Sequence, residues 1–314
     1  GGGGWGIEGE CLAQGQSDAL TDPEADVGIA TTATLQSIRR ISAVLRLVRE
    51  VIGDDAYRSE HAVLGDTDDM LSALVAGQPE LRALDQLRAR YAHVLLPEAF
   101  VGFRQQLLHR HQLRRLTALA EGGALQRSLH RLRRARARFA AWPIDARADT
   151  YGREPVTDSF DSLRTGLDRT YRRGRKQWAK AVKNKNAGRR VKPRALGDWH
   201  RECRLLGHQL EIIRSSWPEV IGATADTCNR LEAVLGEVQG LIALEAATTE
   251  EAGEVLDADE RSMLAALVAH GLDEGLRVAP ALGARVFAEP PELFIDRWEA
   301  YWVARGRPFD PAAS

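Results

Sequence analysis

Apolar residues recur at intervals of three and four along most of the chain, and this spacing decides which folds are open to it. Ile38, Ile41, Leu45 and Val48 show the pattern, and Gly53 ends that run. Such spacing puts apolar side chains on one face of an α-helix, whereas a half-buried strand alternates at every second residue. The sequence contains no convincing alternating segment and no Asn-Gly or Asp-Gly hairpin turn. It therefore predicts an all-α protein.

Turn-forming residues divide this helical pattern into separate segments. The glycine pair at 122–123 precedes one predicted helix, and Pro143 follows it. The predicted helices cover residues 30–52, 55–76, 79–93, 97–118, 124–141, 159–182, 194–214, 218–247, 257–288 and 291–305. The polar and basic stretch at 184–193 is predicted to be an exposed loop.

A polar stretch at 144–158 is the best candidate for a linker in this chain of 314 residues. It separates a first helical bundle half at 15–143 from a second at 159–305, and 44% apolar residues suffice to build a core in either. Residues 1–14 begin with a glycine run and lack the pattern of a secretory signal, so we expect a flexible leader there. Residues 306–314 are predicted to be a tail.

Charge is strongly segregated along the chain, although 43 basic and 44 acidic residues give a net charge of −1. Residues 101–204 carry 27 basic and 9 acidic side chains, a net charge of +18, whereas residues 1–100 and 205–314 carry −8 and −11. Like charges at this density repel one another unless they are solvated or paired. Either the basic segment pairs with the acidic flanks within the molecule, or it presents a surface that binds a polyanion.

Two of the predicted helices in the basic segment carry an apolar stripe beside a basic stripe. In the helix at 124–141 the apolar stripe is Leu125, Leu129, Leu132 and Phe139, and the basic stripe is Arg127, Arg131, Arg134 and Arg138. In the helix that begins at Ser159 the basic side is Arg169, Arg172, Lys176, Lys180 and Lys183. Tyr171 and Trp178 lie on its apolar side, where we expect them to be core residues. Both patterns indicate helices that are buried on one side and cationic on the other.

An internal similarity relates two segments that lie 165 residues apart. Residues 32–49 can be laid over residues 197–214, and each segment opens one half of the chain with a helix. The segment Tyr-Arg-Arg-Gly-Arg-Lys-Gln-Trp at 171–178 lies before the second copy, and Leu-Gly-Glu at 235–237 lies after it. The two halves are therefore predicted to be pseudo-symmetric.

This arrangement resembles the CHAD family, which is named for its histidine-containing α-helical domain, over roughly residues 15–305. The resemblance implies a duplicated four-helix bundle around a basic central channel that binds inorganic polyphosphate. Each half of a family member begins with a helix that carries H-x-x-R-K-x-x-K, a spacing that puts four basic groups on one face. These positions are Thr32, Leu35, Gln36 and Arg39 in the first half and Gly197, His200, Arg201 and Arg204 in the second.

The resemblance further implies a non-enzymatic protein whose partner is inorganic polyphosphate or a similar polyanion. The implied binding residues are Arg39, Arg172, Arg173, Arg175, Lys176, His200, Arg201 and Arg204, with Arg131, Arg134 and Arg138 as secondary basic contacts. Arginine suits this role because its planar guanidinium donates two hydrogen bonds to a phosphate and keeps its charge when it is partly desolvated.

Two other functions stay open on the sequence alone. Nucleic-acid phosphates would suit the same basic surface, although no helix-turn-helix, zinc-finger or ribonucleoprotein motif is present. A scaffold or interaction module that has lost polyphosphate binding would explain the missing motif residues of the first helix. Phosphate-loop, dinucleotide-binding, zinc-protease and nucleophile-elbow motifs are absent, so we expect neither an enzyme nor a cofactor.

Some smaller groups of polar residues are predicted to be structural or solvent-exposed. His109 and His111 point to different sides of a helix and are predicted to be solvent-exposed rather than metal ligands. His208 is predicted to have a structural or partner-facing role. A solvated acidic patch is predicted at Asp66, Asp68 and Asp69. No metal site is expected.

The spacing of the cysteines and the hydropathy pattern indicate in which cellular compartment to expect the protein. Cys11, Cys203 and Cys228 are widely spaced and form no C-x-x-C pair, so neither a disulfide framework nor a zinc cluster is indicated. No run approaches the roughly 18 to 20 apolar residues that span a bilayer. We therefore expect a cytoplasmic protein without a membrane partner, and the resemblance to CHAD proteins adds association with polyphosphate granules.

Overall fold

The computed structural model describes residues 27–120, 123–139, 159–186, 191–251 and 255–305. Within these ranges the regular elements are all helical and no strand occurs, which confirms the predicted all-α class. The predicted leader, linker and tail lie outside the described residues, as do Cys11 and positions 187–190 of the predicted basic loop.

The helices of both halves follow the predicted order. In the first half they are α1 (Val27–Leu47), α2 (Arg49–Ile52), α3 (Asp54–Leu74), α4 (Gln78–Arg90), α5 (Val101–Ala120) and α6 (Ala124–Phe139). In the second half they are α7 (Asp161–Asn186), α8 (Pro193–Ile213), α9 (Pro218–Glu251), α10 (Ala258–Val286) and α11 (Pro291–Ala304). A 3₁₀ turn at Arg214–Ser216 joins α8 to α9.

Several helix ends differ from the sequence-based prediction by up to four residues, and one predicted helix is divided in two. The predicted helix at 30–52 is two helices, because Val48 leaves the helical region at φ −94° and ψ 11°. The predicted helix at 159–182 continues as α7 to Asn186, so the first residues of the predicted loop are helical. Neither position 48 nor residues 183–186 contain a glycine or proline, so no helix-breaking residue marks either difference in the sequence.

The second half forms a closed bundle in which α7, α8, α9 and α10 each pack against the next, and α10 packs back on α7. In the first half α3 is central and packs against α1, α5 and α6. The halves meet where α1 packs against α7 and α8 and where α4 packs against α9. At the first of these contacts Gln209 donates to the carbonyl of Ala43 (3.2 Å) and Arg46 donates to Glu202 (3.3 Å). One continuous hydrophobic cluster spans both halves.

Tyr171 of α7 lies in the core, as its spacing predicts, and Trp178 is partly buried and packs against the core. Tyr171 is fully buried, and its ring stacks on Phe294 with 3.8 Å between ring centroids. Its hydroxyl donates to the carbonyl of Glu289 (3.0 Å), and Trp178 donates to the carbonyl of Pro280 inside α10 (3.0 Å). These bonds satisfy the polar atoms of both rings and fix α7 against α10 and α11.

Gly166 sets the distance between α7 and the end of α1. A β-carbon at this position would lie 2.2 Å from the carbonyl oxygen and 2.5 Å from the α-carbon of Leu47. Both are backbone atoms, so relief would require the two helices to move apart. The two halves therefore pack closely here because position 166 has no side chain.

We expect Gly166→Ala to lower the free energy of unfolding by at least about 2 kcal/mol, because overpacking displaces backbone rather than a flexible side chain. Urea unfolding measures the effect. Gly65→Ala on α3 is the matched control, since a β-carbon there has no neighbour within 4 Å and should stabilise the helix by up to about 1 kcal/mol. Equal stability of the two variants would contradict the proposed contact.

Candidate anion-binding site

A group of charged residues from α1, α3, α8 and α9 meets where the two halves join. This central cluster comprises Arg39, Arg40, Asp68, His200, Arg201, Arg204, His208 and Glu232, all of which act electrostatically on Arg204 or His208 or bind a residue that does. Helix α8 supplies four members because positions 200, 201, 204 and 208 share one face. Helix α1 brings two arginines to the same place.

Arg204 is the cluster arginine that is partly buried and yet contacts no carboxylate among the described residues. Its side chain is half-buried on α8 and makes no hydrogen bond or ion pair with any described residue. Burial lowers the pKa of its guanidinium, and the positive charge of Arg39 lowers the pKa further. The charges of Glu232 and Asp68 oppose this shift without reversing it. Among the described residues, Arg204 is thus a partly desolvated cation without a counter-ion in contact.

The two arginines of α1 differ in their pairing. Arg39 donates from Nε to the Oδ1 atom of Asp68 on α3 at 3.2 Å, and both side chains remain about one-third exposed. Arg40 is exposed and has no hydrogen-bond or ion-pair partner in the described part of the chain. An anion that approaches Arg204 therefore meets a second unpaired guanidinium and a third that is held only by a partly solvated carboxylate.

His208 lies one helical turn after Arg204 and shares its surroundings. Burial lowers the pKa of its imidazole from 6.5 to about 4, and the charges of Arg40, Arg204 and Arg39 contribute in the same direction, against Glu232. At neutral pH the ring is uncharged and can donate one hydrogen bond and accept another.

His200 is held by two residues of α9. Its Nε2 atom lies 2.8 Å from the carboxylate of Glu232, and its Nδ1 atom lies 3.3 Å from the amide oxygen of Gln239. Burial raises the pKa of Glu232, but the hydrogen bond from His200 and the charges of His200, Arg204 and His208 outweigh burial, so the pKa is lowered overall. Glu232 is therefore a stable carboxylate at the edge of the cluster, and it orients His200. Arg201, the next residue of α8, pairs with Asp198 of its own helix.

The predicted binding residues of α7 lie elsewhere. Arg172 donates to Asp168 (2.7 Å) and to Glu292 (2.6 Å), and Arg175 donates to the carbonyl of Phe287 (3.3 Å). These partners belong to α7, to α11 and to the residue after α10, none of which supplies a member of the central cluster. Two further predicted residues, Arg173 and Lys176, are exposed on α7 and have no hydrogen-bond or ion-pair partner within the described ranges.

The predicted secondary contacts lie on α6, which packs against α3. Arg138 makes a bidentate pair with Glu60 of α3 at 2.5 and 2.7 Å, and the Glu60 side chain is only 5% exposed. Arg131 pairs with Asp66 at 3.0 Å, whereas Arg134 is exposed and pairs with no described residue. Asp66 and Asp68, which were predicted to be a solvated patch, are counter-ions of arginines in the structure.

Other cations of the basic segment also pair with the acidic flanks. Arg104 forms a bidentate pair with Asp85 at 2.7 and 2.9 Å. Arg164 pairs with Asp296 and Glu299, and Arg169 pairs with Glu50. The intramolecular pairing that the segregated charge allowed is therefore present, and Arg204 stands apart from it.

Four cluster members, Arg40, Asp68, His208 and Glu232, were not among the predicted binding residues, and one histidine differs from its predicted exposure. Arg40 lies eight residues after Thr32 and His208 lies four after Arg204, so helical spacing alone could have added both to the motif face. His109 is exposed as predicted, but His111 is half-buried, with its Nδ1 atom 2.6 Å from the carbonyl oxygen of Ala76.

The described ranges contain neither a cluster of metal-ligating side chains nor a membrane-spanning helix. No group of three or more histidine, cysteine, aspartate or glutamate side chains there is arranged to hold a metal ion. No helix among these residues has both the length and the apolar character needed to cross a membrane.

Comparison with known proteins agrees with the motif analysis. A family model described as the CHAD domain matches residues 30–248. The chain belongs to the CHAD family. The matched region of this CHAD protein contains α8 and nearly all of α1, so every member of the central cluster lies within it. A search of curated proteins and a search of solved structures found no match.

We expect His208 to make the CHAD protein less stable in acid. The unfolded chain takes up a proton near pH 6.5, whereas the folded protein resists this proton until about pH 4, so stability falls as the pH drops through this interval. His208→Gln should reduce the loss of unfolding free energy between neutral pH and pH 4 by up to about 3 kcal/mol. Urea unfolding over this pH range, with His109→Gln as the exposed control, measures it. A pH dependence in His208→Gln that equals the control's would contradict the shifted pKa.

Proposed function

We propose that this CHAD protein is a non-enzymatic binder of inorganic polyphosphate and that the central cluster is its binding site. The observation that supports this most is Arg204, a half-buried guanidinium that contacts no counter-ion in the part of the chain that the structure describes, and whose pKa is lowered by burial and by Arg39. Keeping such a cation unpaired costs folding free energy. Binding of an anion would recover that free energy, so the site favours a negatively charged ligand.

The arrangement favours phosphate groups in a chain over a single anion. Arg204, Arg40 and Arg39 come from two helices and present several N–H donors where the two halves join. Guanidinium groups bind phosphate oxygens with two parallel hydrogen bonds, and neutral His208 can donate one more. A ligand with repeated phosphates can use these donors at the same time, because its charges are covalently joined.

Nucleic acid suits the central cluster less well than polyphosphate does. Single-stranded nucleic acids bind to basic grooves whose aromatic side chains stack on successive bases. The only rings among the cluster members are the imidazoles of His200 and His208, and Glu232 holds the first of these. Polyphosphate has no bases to accommodate, so a cluster of guanidinium groups is sufficient to bind it.

A scaffold without a polyanion ligand is the second candidate, and the extensive ion pairing favours it. Arg39, Arg131, Arg138 and Arg201 each pair with a carboxylate inside the protein. The two candidates differ at Arg204, since a pure scaffold gains nothing from an unpaired and partly buried cation. As a polyphosphate binder, the protein would act in the cytoplasm at polyphosphate granules.

We expect Arg204→Gln to lower the affinity for long-chain polyphosphate by at least about tenfold, because one charge-assisted contact contributes roughly 1.5–3 kcal/mol. The affinity of the unchanged protein should also fall as salt rises, with a logarithmic slope of about −2 to −3 for three or four neutralised phosphates. Isothermal titration at several salt concentrations measures both quantities.

Arg230→Gln on α9 is the matched control, because Arg230 is exposed, pairs with no described residue and lies outside the cluster. It should leave the affinity and its salt dependence nearly unchanged. Arg204→Gln should also keep or raise the melting temperature, since it removes an uncompensated cation. Absence of polyphosphate binding by the unchanged protein at low salt would overturn the proposal and favour the scaffold.

A further inference from the structure

A cavity of about 590 Å³ lies in the first half, between the beginning of α1 and helices α4 and α5. Thr32 and Gln36 of α1 line it, and these are the positions at which the CHAD motif has a histidine and a lysine. The motif face of α1 therefore lines a cavity to which it contributes no charge. The charged residues around the cavity come from the neighbouring helices.

Four ionisable side chains line the cavity, and their balance is positive. Arg115 of α5 is half-buried and has no hydrogen-bond or ion-pair partner among the described residues. Arg82 of α4 donates to the neutral side chain of Gln78 at 2.6 Å and has no further hydrogen-bond or ion-pair partner within the described ranges. Asp85 is the acidic member, but the bidentate pair with Arg104 already neutralises it.

His111, the fourth ionisable residue, fixes the wall of the cavity. Its Nδ1 atom bonds the carbonyl of Ala76, and its ring packs over Gly77, whose φ of +91° turns the chain into α4. The ring thus connects α5 to the turn between α3 and α4, and holds Arg115 and Arg82 on facing helices. Two guanidinium groups that contact no carboxylate of the described residues therefore line one space.

The cavity and the central cluster lie along one face of α1. Thr32 and Gln36 line the cavity, and Arg40 follows Gln36 by one helical turn. From Thr32 to Arg40 the helix rises by about 12 Å. A linear ligand bound at Arg204 and Arg40 could thus extend along α1 into the cavity.

We infer that this cavity is a second anion subsite, which binds the distal phosphates of a polyphosphate chain whose other end is bound at the central cluster. The inference rests on the proposed function, which it extends to a preference for long chains. Arg115 and Arg82 are its binding residues. They supply from α4 and α5 the cations that the motif positions Thr32 and Gln36 lack.

The test compares two probes, tripolyphosphate and a polyphosphate chain several times longer, in titrations of the full chain. The unchanged protein should bind the longer chain more tightly than tripolyphosphate. Arg115→Gln should lower the affinity for the longer chain by about tenfold and leave tripolyphosphate binding within about twofold, because one charge-assisted contact is lost only in the long complex. Arg82→Gln should act in the same direction.

Arg114→Gln is the matched control, because Arg114 precedes Arg115 on α5, is exposed and does not line the cavity. Its affinities should equal those of the unchanged protein. If Arg115→Gln leaves long-chain binding intact, or weakens both probes equally, the second subsite is refuted while the central site stands. If neither probe binds the unchanged protein, the proposed function itself fails. Melting temperatures confirm that each variant is folded.

Discussion

The positive charge of residues 101–204 has to be compensated within the fold, and the packing of the helices serves this requirement. Carboxylates of α3, α4 and α11 lie against the arginines of α5, α6 and α7, as the pairs Asp85 with Arg104, Glu60 with Arg138 and Glu299 with Arg164 show. Exposed ion pairs contribute little stability individually. Glu60 is nearly fully buried, however, so loss of Arg138 would leave an uncompensated charge in the interior. Chain segments of opposite charge thus become neighbours in the bundle.

The central cluster departs from this compensation. Its acids, Asp68 and Glu232, are engaged by Arg39 and His200, and neither lies within ion-pair distance of Arg204. The structure therefore keeps a cation in partly buried surroundings at the junction of the two halves, where α1 and α8 also hold the molecule together. The proposed binding site and the contacts between the halves thus share the same two helices, α1 and α8.

The sequence predicts the fold well because helix periodicity is a local property. The described helix ends lie within about four residues of their predicted positions, and the differences have physical reasons. The break at Val48 arises where α7 approaches α1 at Gly166, and this long-range contact leaves no local signal. The long continuation of α7 to Asn186 requires only the absence of a helix-breaking residue before Gly188.

The site was only partly predictable for a related reason. Spacing along α8 puts His200, Arg201 and Arg204 on one face, and this part of the cluster could be read from the motif. The pairing of Arg39 with Asp68 and of His200 with Glu232 joins residues of different helices, so it depends on the tertiary arrangement. The same holds for Arg115, which lies far from any motif in sequence.

Asp68 and Glu232 also have a consequence for ligand choice, since each acts as an internal competitor that already occupies a cation or imidazole of the cluster. A lone phosphate that displaces Asp68 from Arg39 exchanges one anion for another and gains little. A polymer that is already bound at Arg204 presents its next phosphate at a high effective concentration and can outcompete the tethered carboxylate. If the central cluster binds a polyanion as proposed, the retained acids would set a minimum valence for its ligand and would disfavour small anions.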